Sequence, residues 1–79
     1  MKFIPERLKQ ARNMRGMSQS QLAKAAGVEK HDIVNAERGR VKDPKHIFML
    51  GVSAALQLDP SYFFDFDDVE IHQDPNPAA

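Results

Sequence analysis

The residues able to do chemistry in this chain carry positive charge and hydrogen-bond donors; none forms a nucleophile–base pair. All eleven Lys and Arg lie between Lys2 and Lys45, against five acids over the same stretch (Glu6, Glu29, Asp32, Glu37 and Asp43), a net of +6. Residues 46–79 hold six acids and no Lys or Arg, a net of −6. The total of zero, taken alone, argues against an anionic polymer as partner. The segregation argues the other way, for a basic working surface followed by an acidic tail. Three separated histidines (His31, His46 and His72) lack the His-Glu-x-x-His spacing that holds zinc, and cysteine is absent. With no phosphate-cradling glycine loop and no room for a deep cleft, the chain is not expected to be an enzyme or to hold a cofactor or a metal.

The elements that must carry this surface are short helices. At 79 residues there is one core, worth roughly 3–5 kcal/mol without help from a partner. Pro5 suits a first helical turn and Gly16 a C-terminal cap, so the first helix is read over 5–15, with Ile4, Leu8, Ala11 and Arg15 on one stripe. Ser18-Gln19-Ser20-Gln21 has the Ser-x-x-Gln form of a capping box, which starts a second helix over 19–26. Gly27 ends it, and a third helix covers 30–38 with Ile33 and Ala36 inward. Arg40-Val41-Lys42 is a basic loop. Asp43-Pro44 reads as N-cap and first-turn proline of a fourth helix over 45–57, and Asp59-Pro60 repeats the signal for a short fifth helix over 60–65. Beyond Asp65 the acidic, Pro-rich end is expected to be flexible, although Phe66, Val69 and Ile71 suit a marginal strand. The fold class is all-α, a compact four- to five-helix domain over 1–64 with an acidic C-terminal tail over 65–79. No apolar run approaches the roughly 18–20 residues of a membrane span. The start, Met-Lys-Phe-Ile-Pro, has no signal-peptide apolar stretch, and a cysteine-free chain suits the cytoplasm.

The window 19–38 is the informative part. A tight turn at Gly27 joins two short helices, Ala23 four positions earlier lets them approach closely, and Ile33 six positions later locks the second onto the first. That is a helix-turn-helix, whose second helix lies in the DNA major groove. The run Arg7-Leu8, Ala11-Arg12, Gly16-Met17-Ser18-Gln19, Leu22-Ala23, Gly27-Val28, Ile33, Glu37-Arg38-Gly39, Pro44, Leu50 and Ala55-Leu56 resembles the XRE family of DNA-binding regulators, which includes the Cro and lambda repressors. The resemblance covers about residues 3–64. It implies a lambda repressor-like fold and double-stranded DNA as the partner. It implies that Gln19 touches phosphate and can brace the recognition helix, with Ser18 counted beside it among the DNA-binding residues and Lys30, His31, Val34 and Asn35 facing bases. Chemistry agrees: Lys30 can donate to guanine O6 and N7, and Asn35 can pair with adenine or bind phosphate. Arg12 and Glu37 match a family ion pair tying helix 1 to helix 3 beside the DNA backbone, while Arg38, Arg40 and Lys42 suit phosphates or the edge of the minor groove.

Three positions depart from the family pattern. Glu29 stands where Ser or Thr usually caps helix 3, Ala36 replaces a large apolar residue so the core beneath is expected to thin, and His46 replaces an apolar residue. Helix 4 is apolar nearly all round, so a partner subunit is expected to cover Ile47, Phe48, Gly51 and Ala54, extended by Tyr62 and Phe63. The expected function is a cytoplasmic transcriptional regulator, a repressor binding a near-palindromic operator as a homodimer. The alternative is an antitoxin or protease-controlled partner whose acidic tail binds another protein, since the ending Pro60-Ser61-Tyr62-Phe63-Phe64 looks like that of helix-turn-helix domains that work beside a zinc protease.

Overall fold

The computed structural model describes residues 1–66; the expectations for Val69, Ile71 and the rest of the acidic tail lie outside the described residues. Four helices carry the fold: α1 (Pro5–Met14), α2 (Gln19–Ala26), α3 (Lys30–Glu37) and α4 (His46–Leu56). Two residues at each end form an antiparallel pair, β1 (Lys2–Phe3) and β2 (Phe64–Asp65), and a single 3₁₀ turn spans Pro60–Phe63.

Local chemistry sets most boundaries. Pro5 opens α1 without needing a donor, and Gly16 follows its C-cap in the left-handed region. The capping box of α2 is complete: the Gln21 amide donates to Ser18 Oγ at 3.0 Å, and the Ser18 amide donates to Gln21 Oε1 at 2.8 Å. Gly27 stops α2 at φ 71°, a conformation that costs a side-chain-bearing residue more. At the other end of the chain, the Ser61 amide donates to Asp59 Oδ1 at 2.9 Å, and this bond holds the Asp59 carboxyl below its ordinary pKa.

The ends of α1, α3 and α4 fall one residue earlier than the sequence reading, and two other boundaries differ in kind. Asp43-Pro44 does not start α4; the helix begins at His46 after an extended Lys45 that makes no side-chain cap bond. The fifth helix over 60–65 is shorter, because Phe64 turns extended and pairs with Phe3. The fold is therefore mostly helical, four helices as the all-α reading expects, with a small two-stranded sheet that reading did not include. The boundary expected between residues 64 and 65 falls inside β2. A two-residue strand leaves no alternation in the sequence. It is held by long-range contacts instead: the Ile4 amide donates to Phe63 O at 2.8 Å, and the Phe3 and Phe64 rings meet edge-on at 5.7 Å. Arg7 Nη1 donates to Tyr62 O at 3.0 Å, which pins the same segment to α1.

Leu8 of α1, Leu22 of α2, Ile33 of α3, Val52 and Leu56 of α4, and Phe63 are the fully buried large side chains, so every helix anchors the one core. Each such side chain contributes about 1.5–3 kcal/mol by leaving water. Helix α4 passes close against the end of α2. A Cβ on Gly51 would stand 2.4 Å from Ala26 O, so only glycine lets these backbones meet.

Candidate nucleic-acid interface

The third helix is clamped to the body on one side and open on the other. Ile33 and Ala36 face the core. His31, Val34, Asn35 and Arg38 follow the spacing i, i+3, i+4 and i+7, and so share the opposite face, with Lys30 flanking it in the first turn. Lys30, His31 and Arg38 are exposed, and Val34 and Asn35 are half-buried. His31 Nε2 stands 3.2 Å from Asp32 Oδ1, both on exposed side chains. Glu29 precedes the helix as N-cap and makes no side-chain cap bond, as its departure from Ser or Thr leads one to expect.

A buried charge network fixes the orientation of α3. Arg12 Nε donates to Glu37 Oε2 at 2.6 Å and Arg12 Nη2 to Glu37 Oε1 at 3.1 Å, a bidentate pair between α1 and α3. Arg12 Nη1 donates to Met17 O at 2.8 Å, and Gln19 Nε2 donates to Glu37 Oε1 at 3.1 Å. The first residue of α2 therefore reaches the last residue of α3. Arg12 is buried with Nε, Nη1 and Nη2 engaged inside the chain, which makes it a positioning residue for the surface above it. Ser18 is engaged in the cap of α2, and Gln19 sits half-buried beside Glu37.

The loop after α3 continues the basic surface. Arg38 caps α3, and the Arg40 amide donates back to Asn35 O at 3.0 Å. Arg40, Lys42 and Lys45 are exposed. Lys45 was not singled out from the sequence, although its place directly after the basic loop was a signal for it. A groove of about 620 Å³ runs between α3 and the start of α4, with Asp32, Asn35, Ala36, Val41, Ile47 and Phe48 in its walls. Ala36 lines it from α3.

The six residues expected at a subunit contact do not share a surface. Phe48 is 8 % exposed and Phe63 is fully buried, both inside this chain's own core. Gly51 is occupied by its close approach to α2, and Tyr62 is half-buried with the Arg7 guanidinium 5.8 Å over its ring. Ile47 at 77 % and Leu50 at 48 % exposure, with exposed Ala54, form the outward stripe of α4. Leu50 was read from the sequence as part of the family pattern and not as a contact residue, although it stands one turn from Ile47. Among the described residues, no helix is long and apolar enough to cross a membrane.

Comparison with known proteins places this geometry. The helix-turn-helix family HTH_3 matches residues 8–63. Among solved structures, the chain is similar to SinR of Bacillus subtilis, the master regulator for biofilm formation, in complex with DNA. The identity is 36 %, with 77 % of this chain and 100 % of that one covered and a TM-score of 0.74. It is similar to the P22 c2 repressor in complex with a synthetic operator, at 30 % identity over 85 % of this chain and 100 % of that one, with a TM-score of 0.73. The restriction-modification controller protein C.AhdI of Aeromonas hydrophila matches at 28 % identity over 76 % and 89 %, with a TM-score of 0.70. No curated protein sequence matches the chain.

Proposed function

The chain belongs to the helix-turn-helix family HTH_3, and from that premise we propose that it is a sequence-specific, double-stranded-DNA-binding transcriptional regulator. The observation that carries the reading is the outward face of α3. His31, Val34, Asn35 and Arg38 line it, Lys30 flanks it, and Arg12, Gln19 and Glu37 hold the helix behind it in one orientation. A rigid helix with donors outward is what the major groove accepts. Lys30 and Asn35 read base edges, His31 donates or accepts there, and Val34 meets a thymine methyl. Arg38, Arg40 and Lys42 bind phosphate and set the register, with Ser18 and Gln19 at the edge of α2 beside the backbone. The DNA-binding unit is residues 1–64 and the acidic tail follows.

The protein acts as a homodimer on a near-palindromic operator in the cytoplasm, repressing by occluding a promoter. The stripe Ile47, Leu50 and Ala54 supports a second copy as partner, since a helix of this length leaves that apolar face in water otherwise. Binding assays with Asn35→Ala test the reading. The variant should lose affinity for the operator while keeping its affinity for random duplex. Equal losses on both would remove Asn35 from base recognition.

A further inference from the structure

The groove between α3 and the start of α4 carries both signs of charge. Val28, Ala36, Val41 and Phe48 give it apolar walls, Glu29 and Asp32 line it from the α3 side, and Lys45 lines it from the α4 side. Among the described residues no ion pair joins Lys45 to either acid; Asp32 meets exposed His31, and Glu29 makes no side-chain cap bond. Ile47 also lines the groove, with 77 % of its surface in water, and Leu50 continues the apolar stripe one turn on at 48 %. One patch therefore holds a groove, an exposed apolar side chain on its rim, an acidic wall and a basic wall. A contact around a two-fold axis joins the same patch of each copy, so such a patch must carry its own complement, as this one does. A small molecule in the groove would leave Ile47 and Leu50 in water, and DNA phosphate would meet Glu29 and Asp32 with the wrong sign. A second copy covers the apolar rim and satisfies both signs.

We propose that two copies of this chain dock through the groove around a two-fold axis. Ile47 of each copy enters the groove of the other, and Lys45 of each meets Glu29 and Asp32 of the other. The docking rests on the homodimer reading and names its contact. Asn35 lines the same groove, so the contact sits beside the base-reading face and sets the separation of the two α3 helices. The charged pairs fix the register of the contact and exclude other orientations, in which like charges meet.

The test is sedimentation of the full chain without DNA, using two variants that repel themselves. Lys45→Glu sets an acid opposite Glu29 and Asp32 of the other copy. Glu29→Lys combined with Asp32→Lys sets bases opposite Lys45. Each variant alone should dimerise at least about tenfold more weakly than the unaltered chain, since like charges then face each other at both ends of the contact. An equimolar mixture of the two should recover dimers at the unaltered chain's strength, because every facing pair is again opposite in sign. Recovery on mixing requires contact between chains; a weakened α3 or a charge effect within one chain does not produce it. Two variants that each dimerise as the unaltered chain does would overturn the groove contact and leave the homodimer reading standing on the outward stripe of α4. Variants that stay monomeric in the mixture would overturn the groove contact as well. An unaltered chain that remains monomeric up to millimolar concentration would overturn the homodimer reading and the contact together.

Discussion

Arg12 and Glu37 meet at 2.6 Å with side chains only 10 % and 4 % exposed. A buried pair of this kind is costly to break from one side, because the remaining charge stays out of water. Arg12→Ala should lower unfolding free energy by about 3–5 kcal/mol, read by urea denaturation. Replacing both residues with methionine should cost less, and a loss as large as the single variant's would contradict the argument. Ser53 gives the opposite case. Its Oγ is buried in α4 with no hydrogen-bond partner among the described residues, so Ser53→Ala should be neutral or stabilising in the same assay. On the outward face, Lys30→Ala and Asn35→Ala should each cost about 1–3 kcal/mol on the operator and relax preference at one base pair. Arg40→Ala should weaken all duplexes alike, because phosphate carries no sequence information.

At the scale of elements, α4 decides how the molecule packs and what it leaves exposed. Gly51→Ala brings a methyl against Ala26 O and should destabilise the fold by about 1–3 kcal/mol, despite the better helix propensity of alanine. Ile47 is 77 % exposed, so Ile47→Glu disturbs little buried surface. It should leave stability unchanged and turn a dimer into a monomer in sedimentation, with a steep loss of operator affinity as the half-sites uncouple. These two helical positions also show what was readable in advance. Boundaries carried by local chemistry were legible: the Ser18–Gln21 box, Gly27 and Pro5 each act through neighbours a few residues away. The inward face of α4 was not, because it is apolar nearly all round and its orientation depends on where α2 approaches Gly51. Phe48 was therefore assigned outward when it fills the core, and Phe63, in the turn after α4, was placed with it although it is fully buried. The strand pair was invisible for a related reason, since two residues have no period and their partners lie about sixty positions away. The bracing of α3 came from family resemblance alone; nothing in the spacing of Arg12, Gln19 and Glu37 says they converge.

At the scale of the whole molecule, a neutral chain has a basic body and an acidic end. If the basic body grips phosphates, affinity should fall steeply with salt. A dimer with about 6–10 phosphate contacts loses roughly 10³–10⁵ in affinity between about 50 and 200 mM. Selection of bound duplexes from a random pool tests the central claim most directly, because it reports binding, sequence and symmetry together. A dimeric reader of duplex DNA should enrich one near-palindrome with half-sites about one helical turn, or roughly 34 Å, apart. A pool that shows no enriched sequence after repeated rounds, or a chain that retains no duplex at low salt, would contradict it.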